Sequence, residues 1–206
     1  MRAAIILAGG KGSRIGGSKH LRKLRGKVLL LHVVEKASTV VEEVLVVLNH
    51  DDNPEFYRNI LPGNVKLVMD SAPSEAPLVG IMTGARASAA EYSAFLSCDL
   101  AFLNPDALRY LFHQAEGVEA AIPEWPDGLL EPLHAVYRTG DAAEAAEAAL
   151  EAQEYRTMAV ARRLKNVKRV PVEEIKRFDP DLLTFFNVNT EEDLVKAERI
   201  LAQKMP

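Results

Sequence analysis

The sequence predicts a doubly wound α/β fold, in which a mostly parallel sheet lies between two layers of helices. Two observations support this prediction. Short aliphatic segments alternate along the chain with longer amphipathic segments, as in repeated β–α units. Several of the short segments are apolar throughout, which is typical of strands that helices cover on both faces. No internal repeat or Gly/Ser/Pro-rich linker divides the 206 residues, so a single domain over residues 1–206 is expected.

Seven segments are predicted as strands because they are short and rich in aliphatic or β-branched residues. In chain order they are Ala3–Leu7, Glu43–Leu48, Val65–Met69, Ser93–Cys98, Ala120–Pro123, Leu133–Tyr137 and Val167–Val172. Ligands of such sheets bind beyond the carboxyl ends of the strands. The residues that directly follow each strand are therefore the first candidates for a functional site.

Seven segments with helical periodicity separate or follow these strands. They are Val28–Thr39, Pro54–Leu61, Leu78–Ala90, Pro105–Glu116, Asp141–Gln153, Met158–Leu164 and Thr190–Gln203. Thr190 is a predicted N-cap, and the three acidic residues after it suit the positive end of the last helix. The Ala/Glu-rich segment around residues 141–154 predicts a helix with a solvated face.

Composition excludes several classes of protein. Hydrophobic residues make up 48% of the chain, which excludes disorder, and no apolar run approaches the roughly 18 residues of a membrane helix. The N-terminus lacks the features of a secretory signal. The single cysteine, Cys98, cannot form an internal disulfide. These features predict a cytoplasmic protein without a membrane partner.

Charge is unevenly distributed along the chain. The net charge is −4, yet residues 1–34 contain eight Lys or Arg and no acidic residue. Such segregation favours an anionic ligand at the N-terminal segment, although a basic surface loop is the alternative. Aromatic residues make up only 6% of this acidic chain, so nucleic acid is not expected as a partner. A small phosphorylated ligand fits better.

The loop after the first predicted strand is rich in glycine. Residues 7–19 have the sequence LAGGKGSRIGGSK, with five glycines in nine positions. Glycine lets several main-chain N–H groups approach a ligand closely, and Arg14 and Lys19 add full positive charges. The spacing matches neither the P-loop nor the dinucleotide fingerprint. The loop is therefore predicted to bind phosphate, with Arg22 and Lys23 beyond the binding part.

Two aspartates follow predicted strands. Asp99 ends an apolar strand, where a carboxylate is costly without a partner, and Mg²⁺ that bridges phosphate oxygens is one such partner. Capping of the next turn is the alternative. Asp70 could accept two parallel hydrogen bonds from guanine N1–H and its amino group, a pattern that adenine and cytosine do not offer. Asn49, after the preceding strand, is either a neighbour in the same pocket or a turn residue.

Together these segments resemble the nucleotidyltransferases that activate a phosphorylated acceptor, and within them the molybdenum-cofactor guanylyltransferases. The resemblance rests on L-A-G-G-x-x-x-R-x-G-G followed by Lys, then on APLVG (76–80), SCDLAFL (97–103) and FFNVNT (185–190), and more weakly on EPLHAVY (131–137). It covers nearly the whole chain in order. The chain departs from the family pattern at Ser18, His20 and Ala76, where the family usually has Asp, Gly and Gly. A Rossmann-like, three-layer α/β/α fold of the nucleotidyltransferase type is implied.

The resemblance also implies an activity and its residues. The reaction is Mg²⁺-dependent transfer of GMP from GTP to the terminal phosphate of molybdopterin, with release of pyrophosphate. Arg14, Lys19 and Asp99 are the implied catalytic residues, Asp99 is the implied metal ligand, and Asp70 is the implied guanine contact. The full set of implied GTP contacts is Leu7, Ala8, Gly9, Gly10, Lys19, Asn49, Asp70 and Asp99.

The acceptor side is less defined. Asn187 and Asn189 either contact the phosphorylated pterin acceptor, with Asn189 as a possible second metal ligand, or only shape the turn into the last helix. A phosphate monoester is largely dianionic at neutral pH because its second pKa is near 6, so no general base is needed from His20, His32 or His134. Transient contact with other proteins of the cofactor pathway is a further expectation.

Two alternatives remain open at this stage. Within the same reaction class, the acceptor could be adenosylcobinamide phosphate, phospholactate or a sugar phosphate. From a different class, the chain could be a regulatory module that binds GTP without turnover. Lys19 together with Asp99 argues against that module, because a binder would not need the metal carboxylate.

Overall fold

The computed structural model of the protein describes residues 1–8, 22–70 and 76–204. Within these residues the strands are β1 (Arg2–Leu7), β2 (Lys23–Leu24), β3 (Lys27–Val28), β4 (Glu43–Leu48), β5 (Lys66–Met69), β6 (Tyr92–Ser97), β7 (Ala120–Glu124), β8 (His134–Arg138) and β9 (Val167–Pro171). The helices are α1 (Leu29–Ala37), α2 (Pro54–Arg58), α3 (Pro77–Ala87), α4 (Pro105–Gln114), α5 (Thr139–Glu151), α6 (Met158–Arg163), α7 (Val172–Ile175), a 3-10 turn (Leu183–Phe185) and α8 (Glu191–Lys204).

Seven strands form one sheet in the order β5-β4-β1-β6-β8-β7-β9. Strands β5, β4, β1 and β6 are parallel, and β7 pairs in parallel with β9. Strand β8 runs antiparallel to both of its neighbours, β6 and β7. The predicted mostly parallel sheet is confirmed, and the start of β8 lies at the same edge as the carboxyl ends of the parallel strands.

Helices cover both faces of this sheet, as the apolar strands predict. In β1, Ala4 and Ile6 join a core on one face, whereas Ala3 and Ile5 join a separate core on the other. The first core is completed by apolar residues of α1, α2, α4 and α7, and the second by α3, α5 and α6. The three-layer arrangement is confirmed, and Cys98 is buried in the first core.

One close approach fixes helix α3 against the sheet. A Cβ at Gly84 would lie 2.4 Å from Cγ2 of Ile5 and 2.9 Å from Cγ2 of Val47. Both distances are too short for a real contact, so only glycine lets α3 lie this close to β1 and β4. Helix α3 also carries Thr83 and begins at Pro77, where a missing N–H costs no hydrogen bond. The close packing therefore fixes the position of α3 at the edge of the sheet.

The seven predicted helices are present, with some different ends. Helix α1 begins at Leu29 because Val28 pairs with Lys23 in a hairpin. Helix α3 ends at Ala87 because Ser88 is extended and donates its hydroxyl to Glu43. Helix α7 and the 3-10 turn were not predicted. No helix among the described residues combines the length and apolar character needed to cross a membrane.

The hairpin of β2 and β3 is a further element that the sequence did not predict. Its turn residues Arg25 and Gly26 have φ of 54° and 78°, the left-handed pair of a tight hairpin turn. Leu24 of the hairpin is buried with Val188 and with Ala197 of α8 in a third apolar cluster. The hairpin and the C-terminal helix therefore pack together beside the sheet.

Candidate functional site

The predicted site residues follow strands that end at one edge of the sheet. Leu7 at the end of β1 is in register with Val47 of β4 and with Ser97 of β6, and Leu48 is in register with Met69 of β5. Ala8, Asn49 and Asp70 come directly after β1, β4 and β5, and Asp99 comes two positions after the end of β6. The fold therefore brings side chains separated by up to 92 positions to one edge of the sheet.

The end of β1 is buried and hydrogen-bonded to β4 just before the glycine-rich sequence begins. Leu7 and Ala8 are buried, and the Ala8 N–H donates to the Val47 carbonyl oxygen at 2.9 Å. Gly9, Gly10, Arg14 and Lys19 lie outside the described residues. Ser18 and His20, two departures from the family pattern, lie outside them as well.

Asp70 is a buried carboxylate with an unused acceptor. Only 5% of the residue is exposed, and its N–H donates to the Leu48 carbonyl oxygen at 2.9 Å. Among the described residues, neither Oδ1 of Asp70 nor Oγ1 of Thr83 has a hydrogen-bond partner. Burial raises the pKa of the Asp70 carboxyl, and the nearby Thr83 hydroxyl only partly opposes this rise. A buried acceptor without a donor is costly, so this arrangement suits a ligand that brings N–H groups.

Asn49 takes part in a turn beside Asp70. Its N–H donates to Oδ2 of Asp52 at 2.9 Å, and its carbonyl oxygen accepts from the Asp52 N–H at 3.1 Å. His50 lies between the two strand ends, with Nδ1 3.4 Å from the Asp70 carbonyl oxygen. The main chain of Asn49 therefore has the turn role that the sequence left open, and its side chain stays a candidate ligand contact.

Asp99 lies at the end of the central strand β6 and is 3% exposed. The Ser97 hydroxyl donates to its Oδ1 at 2.5 Å, which holds the carboxylate in one orientation. Its carbonyl oxygen accepts from the Val188 N–H at 3.2 Å. That bond brings the segment containing Asn187 and Asn189 to Asp99, although the two lie about ninety positions away in the sequence.

Both asparagines also take part in the local turn. The Asn187 side chain donates Nδ2–H to the Phe185 carbonyl oxygen at 3.2 Å. The N–H groups of Asn189 and Thr190 donate to Oδ2 of Asp193, and the Asp193 N–H returns to the Thr190 hydroxyl. This reciprocal pattern is a capping box, which confirms the predicted cap at Thr190. The asparagines therefore lie beside Asp99 and shape the entry to α8 as well.

A divalent cation at this edge would have few protein ligands. No group of three or more His, Cys, Asp or Glu side chains within the described ranges could hold a metal ion. Mg²⁺ in nucleotide sites is commonly bound by one or two carboxylates, with substrate phosphates and water as the remaining ligands. The buried and oriented Asp99 carboxylate fits that mode.

Arg22 has a contact that the sequence did not indicate. Its side chain is 13% exposed, donates to the Asn189 carbonyl oxygen at 3.3 Å and lies 3.6 Å from the Glu191 carboxylate. In the sequence, Arg22 follows Lys19 of the glycine-rich loop by three positions. It therefore joins the exit of that loop to the Asn187–Thr190 segment beside Asp99.

His134 and His32 both make hydrogen bonds within the fold. His134 is fully buried, with Nε2 3.2 Å from the Thr184 hydroxyl and its ring centroid 4.6 Å from that of Phe185. Burial lowers the pKa of His134 to about 3, so the ring is neutral. His32 bonds through Nε2 to the Leu24 carbonyl oxygen at 3.0 Å, and burial lowers its pKa.

A doubly wound sheet with buried carboxylates after its strands, together with a glycine-rich basic sequence after the first strand, is typical of an α/β nucleotidyltransferase. Comparison with known proteins supports this class. The family model described as "MobA-like NTP transferase domain" matches residues 4–167. The chain therefore belongs to the family of MobA-like NTP transferases.

Individual relatives agree over almost the full chain. The probable molybdenum cofactor guanylyltransferase of Methanosarcina mazei is 37% identical over 198 residues, which cover 94% of this chain and 88% of that protein. The molybdenum cofactor guanylyltransferase of Syntrophotalea carbinolica is 32% identical and covers 96% and 90%. The crystal structure of molybdopterin-guanine dinucleotide biosynthesis protein A from Archaeoglobus fulgidus has a TM-score of 0.82 at 30% identity, and covers 98% of this chain and 100% of that one.

Proposed function

We propose that this chain transfers GMP from GTP to the terminal phosphate of molybdopterin and releases pyrophosphate. The observation that carries the proposal is the pair of buried aspartates, Asp70 and Asp99, at the carboxyl ends of two strands of one nucleotidyltransferase sheet. The names of the relatives, which include molybdenum cofactor guanylyltransferases, support this donor and acceptor.

Asp70 selects guanine in this proposal. The unpartnered Oδ1 accepts from one N–H of the guanine edge and Oδ2 accepts from the other, so the base supplies the donors that the described residues do not. Adenine presents an acceptor at the ring position where guanine presents N1–H, and it would leave the carboxylate unsatisfied. The main chain of Leu7, Ala8 and Gly9 and the Asn49 side chain complete the contacts to base and ribose.

Chemistry takes place beside Asp99. An oxygen of the acceptor phosphate attacks the α-phosphorus of GTP, and the bond between the α-phosphorus and its bridging oxygen to the β-phosphate breaks in line. The acceptor phosphate is already largely dianionic, so no proton has to be removed, and pyrophosphate leaves with the bond electrons. Arg14, Lys19 and the main-chain N–H groups of residues 9–10 hold the phosphates. Mg²⁺, which Asp99 would hold, supplies charge neutralisation on the triphosphate when bound.

In this proposal Asn187 and Asn189 contact the phosphate of the acceptor. Their segment is attached to Asp99 through Val188 and to the loop exit through Arg22. Contact with other proteins of the cofactor pathway and a cytoplasmic location stay predictions from the sequence.

The test is pyrophosphate release from GTP measured across a panel of acceptors. Molybdopterin, adenosylcobinamide phosphate, phospholactate and a sugar phosphate are compared at equal concentration, with ATP and CTP as alternative donors. Release with GTP and molybdopterin, at least tenfold above every other pair, is the expected result. Release with a different acceptor would assign another guanylyltransferase activity, and GTP binding without release from any pair would identify the regulatory module.

A further inference from the structure

Glu131 is a half-buried carboxylate near Asp99. In the strand order it lies on the other side of β6 from Asp70. Glu131 precedes β8, and Trp125 follows β7. The Trp125 Nε1–H donates to Oε1 of Glu131 at 2.7 Å, so the indole and the carboxylate form one unit. The described part of the chain supplies no other hydrogen bond to the Glu131 side chain. Because a carboxylate has about four acceptor positions, most of its capacity is available to a ligand.

This unit is attached to the segment that carries the acceptor asparagines. The Trp125 ring lies 5.6 Å from the Phe185 ring between centroids, and Phe185 accepts the hydrogen bond from the Asn187 side chain. The Leu133 carbonyl oxygen, two positions after Glu131, accepts from the Ser97 N–H at 3.2 Å. Asp99 is likewise two positions after Ser97, so this bond places Glu131 and Asp99 at the same edge of the sheet, beyond the ends of β8 and β6.

We propose that Glu131 and Trp125 recognise the pterin ring of the acceptor. The inference rests on the proposed function, since a pterin is the acceptor named there. A pterin presents a ring N–H beside an exocyclic amino group, the same two donors that guanine presents, and a carboxylate accepts both in parallel. The planar bicyclic ring stacks on an indole. Burial raises the pKa of the Glu131 carboxyl, as it does for Asp70. Such a shift is expected of a carboxylate that lacks hydrogen-bond donors until a ligand supplies them.

The placement of the two carboxylates on opposite sides of β6 favours this assignment. Asp70 follows β5, which lies three strands from β6 on one side, whereas Glu131 precedes β8, which adjoins β6 on the other side. Each carboxylate can therefore read one 2-amino-4-oxo ring, with the two phosphates meeting beside Asp99 between them. An alternative role for Glu131 is only to anchor the Trp125 side chain, and the experiment separates the two roles.

The experiment uses the single tryptophan of the chain as its probe. Trp125 is the only tryptophan in the sequence, so its emission reports binding beside Glu131. Pterin and lumazine, which carries an oxo group in place of the amino group, are titrated without GTP. The wild-type protein is expected to bind pterin at least about tenfold more tightly, because lumazine leaves an acceptor facing the carboxylate. Equal affinity of the wild-type protein for both rings overturns the proposal without any variant.

Three variants locate the preference. Glu131→Gln keeps an oxygen for the Trp125 N–H, and is expected to reduce the preference for pterin to about twofold or less while the unliganded emission and Tm stay unchanged. Glu124→Gln is the matched control, because Glu124 lies on the same hairpin and pairs with Arg169 at 2.7 Å. Asp70→Asn is expected to keep the preference. Preference retained in Glu131→Gln, or lost in Asp70→Asn alone, overturns the proposal.

The outcome is separable from that of the proposed function. In transfer assays Glu131→Gln is expected to raise KM for molybdopterin at least about tenfold and to leave KM for GTP unchanged. Transfer to molybdopterin without any pterin preference at Glu131 refutes this inference and leaves the proposed function standing. Pterin preference without transfer supports the ring site and refutes the proposed function.

Discussion

The Val188 N–H donates to the Asp99 carbonyl oxygen at 3.2 Å and joins the two sides of the site. One partner ends the central strand, and the other lies between the two asparagines before the last helix. Val188 itself is fully buried in the cluster that holds the β2–β3 hairpin against α8. The position of Asn187 and Asn189 relative to Asp99 is therefore set by a buried main-chain contact.

Asp99→Asn is expected to lower kcat by at least about two orders of magnitude, because the amide lacks the negative charge proposed to hold Mg²⁺. The amide oxygen can still accept from the Ser97 hydroxyl, so circular dichroism and Tm should stay close to wild type. Asp106→Asn is the control, since Asp106 is exposed on α4 and pairs with Arg109. Steady-state pyrophosphate release checks the prediction, and near-normal turnover in Asp99→Asn removes Asp99 from the mechanism.

Asp70→Asn is expected to reduce selectivity for GTP over ATP by roughly tenfold to a hundredfold, or about 1.5–3 kcal/mol. The variant replaces one acceptor by an NH₂ group that faces an N–H of guanine. Competition between GTP and ATP in the transfer assay gives the ratio of kcat/KM values. An unchanged ratio would assign base recognition to another residue.

Arg22→Ala is expected to reduce kcat/KM for the acceptor about fivefold, which corresponds to about 1 kcal/mol, the typical net contribution of one hydrogen bond. The loss follows from the contact of Arg22 with the Asn189 carbonyl oxygen. Lys23→Ala is the neighbouring control because Lys23 is exposed. Equal activities of the two variants would show that the link between the loop exit and Asn189 does not contribute to acceptor binding.

His134→Gln is expected to reduce the acid sensitivity of the fold. The folded pKa of about 3 is below the unfolded value of 6.5, so the unfolded chain binds the extra proton between these values and stability falls as pH falls from 6.5 towards 3. Between pH 7 and pH 5 the variant should lose about 2 kcal/mol less unfolding free energy than wild type, at about 1.4 kcal/mol per pH unit below 6.5. Urea unfolding at both pH values measures this difference. His113→Gln, at an exposed site on α4, should behave like wild type, and a His134→Gln variant with wild-type acid sensitivity would contradict the buried neutral ring.

Gly84→Ala and Gly140→Ala are expected to act in opposite directions. The Cβ at position 84 would overlap Ile5 and Val47, which should cost about 1–3 kcal/mol through displacement of α3. The Cβ at position 140 meets nothing within 4 Å, so the gain in helix propensity should be up to about 1 kcal/mol. Thermal unfolding gives both values. A Gly84→Ala protein as stable as wild type would show that the helix can move away from the sheet without cost.

Local sequence patterns were sufficient to predict the sheet and to select candidate site residues at strand ends, whose roles stay predictions. The strands carry aliphatic or aromatic residues on both faces, such as Ile6 on one face and Ile5 and Phe95 on the other. Their segments could therefore be recognised without knowledge of the strands with which they pair. Asp70 and Asp99 could be recognised because each polar residue directly follows such a segment. Both signals are contained within a few neighbouring positions.

Contacts over long sequence distances could not be predicted in this way. Arg22 and Asn189 are separated by 167 positions, and His134 and Thr184 by 50, and no local pattern connects either pair. The β2–β3 hairpin consists of two-residue strands, which are too short for any periodicity. Glu131 belongs to a motif with only a weak signal in the sequence. Its hydrogen bond with Trp125 depends on how the connection between β7 and β8 packs against Phe185, which the sequence does not indicate.

The reversed direction of β8 separates the residues assigned to the donor nucleotide from those assigned to the acceptor, so the two sets could vary independently in evolution. Every residue assigned to the donor nucleotide precedes position 100, whereas the residues assigned to the acceptor lie in 125–133 and 187–189. Because β8 begins at the site edge, the connection from β7 can change in length or sequence without disturbing the strands that hold the nucleotide. Exchange of residues 125–133 between relatives is therefore a route by which an ancestral guanylyltransferase could acquire a new acceptor while its choice of nucleotide stays fixed.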